Sequence, residues 1–546
     1  MNTVELTLKS ALQNAVKTAF SVELRDDEII IEAPKIKEHG DYATTVAMRL
    51  VKLVKGNPRA LAQNVIDHLD FKRAGILSAE IAGPGFINFK MDPLFLTAQI
   101  KVIVEADADY GQTTLDQPFA INVEYVSANP TGDLHPGHAR GAAIGDALTR
   151  LLKKAGYTVT REYYLNDAGN QIANMAKSLQ ARYLQACGLE ASVPEDGYHG
   201  KDLIEIAETL KAEVGTRYAD LPLSESLPLF RAYGLKAETE KLKTDLKLFR
   251  VEFDVWSSEQ ALYDAGMVQT TLKTLIDHGH TYTLDGALFL RTTDYGDDKD
   301  RVLIKSDGSY TYILPDIAYH LNKKQRGFDL LVNLLGADHH GYVPRLKAAF
   351  EALGYDRNAL QVDIIQMARM IKDGEEFKLS KRTGKAVALK DLIDEAGVDA
   401  LRYYFVSRAG DTHMDLDLDM AQKQSNENPV FYAQYAHARI ASILRQTQWK
   451  MPDTFDGLVH EKELDLVKLM SDFPQTIADA AKARTPHTLC TYIQKLASAF
   501  HAFYAECVVL KEVEPLRSQR LALIKATQIT LRNALELIGV EAVDQM

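Results

Sequence analysis

The chain has 546 residues, of which 46% are hydrophobic and 25% charged, enough for three or four domains of ~150 residues whose cores need neither disulfides nor metals. Its formal net charge of −12 argues against general nucleic-acid binding, although a local basic surface on a large enzyme would not show in this average. Its three cysteines form no Cys-x-x-Cys pair, and it has neither a signal peptide nor an apolar run of about 18 residues, so we expect a cytoplasmic protein without a zinc site, a disulfide framework or a membrane span.

The N-terminal 112 residues predict a small α+β domain. Residues 4–20 repeat apolar side chains at the spacing of an amphipathic helix, and Gly83-Pro84-Gly85 marks a turn within a later strand segment. The predicted elements are helices over 4–20, 42–54 and 60–69 and strands over 29–32 and 81–89. Nothing in these residues specifies a ligand, so a docking or folding module explains them as well as a binding domain does.

Residues 119–156 predict the first half of a βαβ unit. Residues 119–126 are apolar and β-branched, as in a buried strand, and 127–137 are rich in Asn, Pro, Thr, Gly and Asp, as in a loop. From His138 to Gly156 the apolar residues recur at helical spacing. The loop would lie at the carboxyl end of a strand, where open α/β sheets bind ligands. We therefore predict an α/β fold with a Rossmann-like parallel sheet.

The loop carries His135-Pro136-Gly137-His138, which places two imidazoles at a helix N-terminus. Backbone N–H groups and the helix dipole favour an anion there, and Gly137 lets a ligand approach the backbone. Gly137, Gly141 and Gly145 recur every four residues and predict a smooth helix face. The segment is neither a Walker loop nor a dinucleotide-binding fingerprint. Taken alone, two such histidines are more often cap and surface residues.

The α/β alternation then continues around an insertion. Residues 195–260 are charged and helix-forming but carry no motif, as expected of an insertion packed on the main fold. The strands predicted after the first helix cover 157–165, 288–291, 302–305, 310–313, 330–335 and 364–370, with helices after Asn166 and over 316–322 and 343–353. Residues 411–419 alternate acidic and apolar side chains and predict a linker. The rest predicts an all-helical domain, with helices over 429–447, 461–482, 486–511 and 515–538.

A basic segment lies between these two regions. Residues 378–390 contain five lysines and arginines and no acidic residue, beginning with Lys378-Leu379-Ser380-Lys381-Arg382. A cationic loop of this kind can close over a triphosphate. Without a second nucleotide-binding motif, a solvated basic loop would be the simpler interpretation.

Two motifs together indicate a family. His135-Pro136-Gly137-His138 after a strand, with Lys378-Leu379-Ser380-Lys381-Arg382 far downstream, resembles the two ATP-binding motifs of class I aminoacyl-tRNA synthetases. The segments EYVSANPTGDLHPGHARGAAIGD, REYYLNDAGNQI, GADHHGYVPRLKAA, VDALRYYF and NPVFYAQYAHARI are similar to bacterial-type arginyl-tRNA synthetases, and such matches cover nearly the whole chain. This resemblance implies activation of arginine with ATP to arginyl-adenylate and transfer to the 3′-terminal adenosine of tRNA, by initial attack of the 2′-hydroxyl. It also implies that activation needs bound tRNA.

The resemblance implies roles for individual residues at the ATP end of the site. The expected catalytic residues are His135, His138, Lys378 and Lys381, and the expected ATP-binding residues are His135, Gly137, His138, Lys378, Ser380, Lys381 and Arg382. The family motifs have Ile and Met where this chain has Pro136 and Leu379; neither side chain is expected to take part in the chemistry. Magnesium is expected to arrive with ATP, and no structural metal is expected.

An arginine substrate needs carboxylates, because its planar guanidinium prefers bidentate partners. By the resemblance, Glu124 and Asp316 bind arginine, Asn129 holds its α-amino group and Tyr312 walls its side chain, with Gln171 as a weaker candidate on the rim. The plainer alternatives are a strand-end carboxylate paired with a lysine for Glu124 and a helix N-cap for Asp316.

The resemblance also implies a tRNA-binding face in the helical domain. Tyr432, Tyr435 and Arg439 share one face of the helix predicted over 429–447, and aromatics beside an arginine can stack unpaired bases. The alternative is that both tyrosines are core-edge residues. The implied domains are 1–112 (an additional domain that contacts tRNA), 113–400 (catalytic, with an inserted helical region at about 190–285) and 401–546 (anticodon-binding), in a protein that by family default is a monomer.

Three other interpretations remain open at this point. A synthetase of the same class for another amino acid is disfavoured by Glu124 and Asp316, which predict a cationic substrate. A non-catalytic RNA-binding paralogue would be expected to have lost one of the two ATP motifs. A nucleotide-binding transferase unrelated to tRNA would leave the helical C-terminal region without a use.

Overall fold

The computed structural model describes residues 4–32, 34, 36–377 and 387–546. The N-terminal region is built on a four-stranded antiparallel sheet in the order β1-β2-β4-β3, which helices cover. Its elements are α1 (Val4–Phe20), β1 (Ile31–Glu32), β2 (Tyr42–Thr44), α2 (Val46–Val54), α3 (Pro58–Asp67), α4 (Phe71–Ala74), β3 (Ile76–Ala82), β4 (Phe86–Met91), α5 (Pro93–Thr97) and α6 (Gln99–Ala106).

A five-stranded parallel sheet forms the centre of the chain. Its strands are β5 (Ala120–Glu124), β6 (Thr158–Leu165), β7 (Val255–Ser258), β11 (Leu330–Gly336) and β12 (Leu360–Ile365), in the order β12-β11-β5-β6-β7. The chain leaves β5 towards β6 and β7 and later returns to the other side of β5 with β11 and β12. The strand order therefore reverses beside β5, which is the position where open parallel sheets bind ligands. The Rossmann-like α/β prediction is confirmed.

The helices and small sheets around this centre follow in chain order. After β5 come α7 (Pro136–Lys154), α8 (Asn170–Ala186), α9 (Lys201–Val214), α10 (Leu223–Leu248), α11 (Glu259–Asp264) and α12 (Met267–Asp277). A three-stranded antiparallel sheet of β8 (Thr281–Leu284), β9 (Ala287–Leu290) and β10 (Arg301–Ile304) precedes α13 (Ile313–Gln325), and α14 (Val343–Ala352) links β11 to β12. Helices α8, α9 and α10 pack against one another around a core of their own.

The C-terminal region begins with a small mixed sheet and continues as helices. The sheet joins β13 (Ala368–Lys372), β14 (Glu375–Glu376) and β15 (Met414–Asp417). The helices are α15 (Leu389–Ala396), α16 (Val398–Val406), α17 (Leu418–Gln422), α18 (Pro429–Arg445), α19 (Glu461–Ser471), α20 (Phe473–Ala483), α21 (His487–Glu506) and α22 (Leu516–Leu537). The all-helical prediction for the C-terminal domain is confirmed. Among the residues that the model describes, no helix is both long and apolar enough to cross a membrane.

Several predicted elements differ from the structure. Tyr42–Thr44 form strand β2 instead of the start of a helix, because they pair with β4. The strand predicted over 310–313 is wrong: Tyr310 makes only an isolated bridge to Ile304, and Ile313 begins α13. Short apolar runs do not distinguish a strand from the first turn of a helix, and tertiary pairing decided both cases.

Two differences lie in the C-terminal part. The linker predicted over 411–419 contains β15, whose alternation of acidic and apolar residues is that of a strand with one face buried: Met414 and Leu416 are buried and Asp415 and Asp417 exposed. The single helix predicted over 461–482 is two helices that meet at Asp472, because Pro474 lies in the first turn of a new helix.

The glycine spacing of α7 has one structural consequence. A Cβ at Gly145 would lie 2.3 Å from the Tyr125 ring, so this position must be glycine for α7 to approach the end of β5. At Gly141 a Cβ would meet nothing within 4 Å. Close packing of α7 on the sheet therefore depends on one of the two helix-interior glycines.

A buried ion pair joins the central and C-terminal regions of the chain. Arg402 is fully buried on α16 and donates to Asp146 Oδ2 of α7 at 2.5 Å, to the carbonyl of Phe249 after α10 at 2.9 Å and to that of Ile538 after α22 at 3.0 Å. Arg150 approaches the same Asp146 carboxylate at 2.7 Å but is 38% exposed. Arg402 thus connects α7, the end of the insertion and the C-terminal helices at one point.

Replacing Arg402 with methionine tests this junction. Loss of one partner of a buried pair costs roughly 3–5 kcal/mol, and R402M also leaves two buried carbonyls without their donor. The exposed partner of the same carboxylate, changed in R150M, is expected to cost about 0–1 kcal/mol. Urea unfolding followed by circular dichroism measures both; equal shifts of the midpoint in the two variants would contradict the role given to Arg402.

Candidate active site

A cavity of about 720 Å³ opens at the carboxyl edge of the parallel sheet, where the strand order reverses. The end of β5, the loop after it and the start of α7 form one side, and the end of β11 with α13 forms the other. Among the described residues that line it there is no lysine or arginine, whereas Glu124, Glu259, Asp316 and Asp338 are all present. The wall therefore suits a ligand that brings its own positive charge.

His135 caps helix α7 with its own ring. Its Nδ1 accepts hydrogen bonds from the backbone N–H groups of Gly137 at 3.1 Å and His138 at 3.3 Å. The backbone donors expected to face an anion are therefore occupied by His135 itself, and this part of the expectation is wrong. An Nδ1 that accepts is unprotonated, so the neutral ring carries its proton on Nε2.

His138 takes up the same protonation state. Its Nδ1 accepts from the His135 backbone N–H at 3.4 Å, and the two rings stack with centroids 3.6 Å apart. Burial lowers the pKa of His135, and burial together with the neighbouring His135 lowers the pKa of His138 to about 4. Near neutral pH the pair is uncharged and presents Nε2–H donors at the cavity.

The second predicted ATP motif lies outside the described residues: Lys378, Ser380, Lys381 and Arg382 have no described position. Its predicted role therefore stays a prediction. The described chain resumes beside the first motif, because the Leu389 N–H donates to the Leu134 carbonyl at 2.6 Å. Position 389 is thus held next to the residue that precedes His135.

Glu124 ends β5 and lines the cavity, with its charge already paired. Its Oε2 accepts from Lys323 Nζ at 2.6 Å, and its Oε1 accepts from the Ser127 hydroxyl at 3.1 Å. Lys323 is fully buried and also donates to Asn333 Oδ1 at 3.2 Å. Glu124 is therefore paired with a lysine, as the plainer alternative predicted, and it also lines the cavity.

Asp316 lies within the first turns of α13 and is not its N-cap, because the helix begins at Ile313 after Tyr312. Its carboxylate accepts a hydrogen bond from the Tyr342 hydroxyl. Burial is the main cause that raises the pKa of Asp316 to about 7, and the nearby Glu124 and Glu259 add to it. A bound cation would favour the ionised form of this carboxyl and so lower its pKa.

Glu259 is a third wall carboxylate that the sequence did not reveal. It follows β7 as the first residue of α11, and Tyr164 donates a hydrogen bond to it. Burial raises the pKa of Glu259, and Asp167 adds to the effect. The residue lies in the charged region that was interpreted as insertion without a motif. Its position directly after a strand, as for Glu124, is the signal that could have found it.

The remaining predicted arginine-binding residues lie around the cavity mouth. Asn129 lines the cavity and donates from Nδ2 to Gln171 Oε1 at 2.9 Å. Gln171 is exposed and lies behind Asn129, outside the cavity lining. Tyr312 lines the mouth with 88% of its surface exposed. Glu124 and Asp316 are thus deep in the wall, Asn129 and Tyr312 at the opening, and Gln171 touches the site through Asn129.

Tyr432, Tyr435 and Arg439 form one face of α18. Arg439 donates to the Tyr435 hydroxyl at 2.7 Å and lies over the Tyr504 ring at 4.5 Å from its centroid. Tyr432 packs against the His501 ring with centroids 4.7 Å apart. All three predicted residues are half-buried, so they combine a core-edge position with an accessible stacking surface.

Family models match along the chain. The model described as tRNA synthetases class I (R), catalytic domain, matches residues 99–441, that of the arginyl tRNA synthetase N terminal domain matches 6–91, and that of the DALR anticodon binding domain matches 433–546. The chain is 54% identical to arginine–tRNA ligase of Bacillus subtilis, over 99% of this chain and 98% of that protein. It is 53% identical to arginine–tRNA ligase of Geobacillus kaustophilus, over 98% and 97% of the two chains.

The solved structure of Thermus thermophilus arginyl-tRNA synthetase has the same fold. It superposes with a TM-score of 0.78 over 99% of both chains at 23% sequence identity. The fold, the position of the cavity and the matching family models agree with one another. The chain belongs to the arginyl-tRNA synthetases, a family of class I aminoacyl-tRNA synthetases.

Proposed function

We propose that the cavity at the carboxyl edge of the parallel sheet is where this arginine–tRNA ligase activates arginine with ATP and transfers it to the 3′-terminal adenosine of tRNA. A carboxylate oxygen of arginine attacks the α-phosphorus of ATP, and the bond to pyrophosphate breaks. The ribose hydroxyl of tRNA then attacks the arginyl carbonyl carbon, and AMP leaves. The single observation that carries this proposal is a cavity wall with surplus carboxylates directly beside two neutral histidine donors.

The carboxylates support a guanidinium as the bound group. Lys323 counters the charge of Glu124, so Asp316 and Glu259 supply the negative charge that a substrate must neutralise. A planar guanidinium can bridge carboxylates with a rigid fork of donors, which an ammonium cannot.

The histidines support phosphate binding at the other end of the cavity. Neutral Nε2–H groups of His135 and His138 can donate to the α-phosphate oxygens as charge develops there. By the family motif, Lys378 and Lys381 with Ser380 and Arg382 neutralise the leaving pyrophosphate. Among the described residues no group of three or more His, Cys, Asp or Glu side chains is placed to hold a metal ion. We propose, as the family resemblance implies, that Mg²⁺ enters the site with ATP.

The tRNA would span both ends of the chain. The half-buried face of Tyr432, Tyr435 and Arg439 offers stacking surfaces for unpaired anticodon bases, each worth ~1–3 kcal/mol. The domain division 1–112, 113–400 and 401–546, with the first domain as a further tRNA contact, is part of this proposal. So are a monomeric state and a cytoplasmic location.

Pyrophosphate exchange is the first test. With arginine, ATP, Mg²⁺ and homologous tRNA, we expect exchange of label between pyrophosphate and ATP, and none with lysine or glutamate. Omitting tRNA tests whether activation depends on it, as the family resemblance implies. Tight tRNA binding without exchange in any tube would contradict the proposed function.

The ionisation of Asp316 predicts a pH dependence of arginine binding. Its pKa of about 7 in the free protein means that arginine selects the ionised form, so binding weakens as pH falls below 7 and levels off above it. We expect the apparent affinity to fall about tenfold per pH unit in the acidic limb.

The isosteric variant D316N is the matched control. It keeps the shape of the cavity but removes the titration of Asp316, so we expect a shallower acidic limb than in the wild type and an arginine KM raised roughly 30-fold or more, the effect of losing one partner of a buried charge pair. Steady-state exchange at pH 5.5–8.5 measures both proteins. A wild-type profile without an acidic limb would overturn the role of Asp316.

The protonation of the histidine pair can be observed directly. Because burial lowers the pKa of His138 to about 4, its ring should be neutral with the proton on Nε2 between pH 6 and 8; burial also lowers the pKa of His135, which should therefore stay neutral to a lower pH than a free imidazole. ¹⁵N ring shifts, assigned with H138N, measure this. The folded pKa lies below the unfolded value of ~6.5, so His138 should also lower stability as pH falls from 6.5 to 4. An imidazolium spectrum of His138 at pH 6 would disprove the assignment.

A further inference from the structure

We propose that Lys241 of the inserted helix α10 is a positioning residue for ATP: it holds Asp133 and thereby fixes the loop that places His135 and His138. The inference rests on the proposed function, because it concerns the geometry of the histidine donors. Lys241 itself lies outside the cavity lining and contacts the site only through this loop.

Lys241 bridges the insertion and the catalytic loop. Its Nζ lies 2.6 Å from Asp133 Oδ1, 3.3 Å from Asp202 Oδ2 at the start of α9, and 3.8 Å from Glu238 Oε2, one turn earlier on α10. Asp133 precedes His135 by two residues. Because only Leu134 separates the two residues, a shift of Asp133 is expected to move His135, which caps α7.

Burial and charge keep Lys241 where it is. Glu238 is 1% exposed, and neither of its carboxylate oxygens has a hydrogen-bond partner in the described part of the chain. Burial raises the pKa of Glu238 to about 7, and Lys241 opposes that rise. Burial would lower the pKa of Lys241, but Glu238, Asp133 and Asp202 outweigh it and raise that pKa. The lysine is thus anchored from the α9 and α10 side, while Asp133 is 54% exposed and depends on it.

The same loop is held on its other side. Leu134 is buried, and its carbonyl accepts from the Leu389 N–H at 2.6 Å. Lys241 and Leu389 therefore clamp adjacent residues immediately before the His135 cap. Removing the Lys241–Asp133 contact frees the loop on one side. The carboxylates on β5, α11 and α13 that are proposed to bind arginine stay in place. The expected defect is confined to ATP.

The experiment compares D133N, K241M, their double variant and K243M in pyrophosphate exchange with arginine. Lys243 is the matched control, because it lies on the same helix and pairs with Glu240 at 2.8 Å. We expect D133N and K241M to raise the KM for ATP roughly tenfold through misplacement of the donors, with the KM for arginine within twofold of wild type. The KM of the double variant for ATP should be no higher than that of K241M, since both changes remove the same Lys241–Asp133 contact.

Each outcome decides the proposal. A loss of folded enzyme alone lowers the apparent kcat and leaves both KM values unchanged, so D133N with wild-type KM for ATP overturns the positioning role. D133N leaves the buried Glu238–Lys241 pair intact, which keeps the test valid if K241M folds poorly. Additive effects in the double variant, or an equal effect in K243M, also overturn it. A wild-type chain without arginine-dependent exchange overturns the proposed function instead.

Discussion

Parallel pairing of β5 with β6 and β11 is the constraint on which the site depends. In a parallel sheet all strands end at one edge, and here Glu124 of β5 lies opposite Glu162 of β6 and Asn333 of β11. The chain departs from β5 in one direction and returns on the other side, and a cavity opens at the edge where the order reverses. The cavity, the histidine loop and the wall carboxylates all follow from that opening.

Within the cavity, the wall carboxylates differ in how their charge is balanced. A buried lysine pairs with Glu124 and also reaches Asn333, which in turn donates to the buried His320. This network fixes one carboxylate, and among the described residues that line the cavity no lysine or arginine pairs with Asp316 or Glu259. The cost of burying those two groups appears in their raised pKa values, and a cationic substrate relieves it.

At the proposed ATP end of the cavity, neutral donors take the place of fixed charges. His135 turns one ring nitrogen to the backbone and His138 turns one to His135, so both expose Nε2–H. Such donors can stabilise negative charge that develops on a phosphate without being charged themselves. Their direction depends on a short loop that contacts the inserted helices through Lys241 and α15 through Leu134. The inserted region therefore has a physical link to the chemistry, although it carries no motif of its own.

The amino-acid sequence by itself determined the architecture and the family. The period-2 and period-3.6 patterns located most strands and helices, and the two separated ATP motifs were readable because each is contiguous in the chain. Sequence spacing also brought Glu124 and His135 to one loop, since the end of a strand and the start of the next helix are neighbours in any βαβ unit.

Only the tertiary structure decided the electrostatics. Lys323 reaches Glu124 across 199 residues, Glu259 comes from a region without a motif, and the Lys241–Asp133 contact joins an insertion to a catalytic loop. The strand at Met414–Asp417 and the loss of the strand at 310–313 were likewise settled by which partner lay alongside. Local pattern records which face of an element is apolar, whereas the charge state of a buried group depends on neighbours that sequence distance does not reveal.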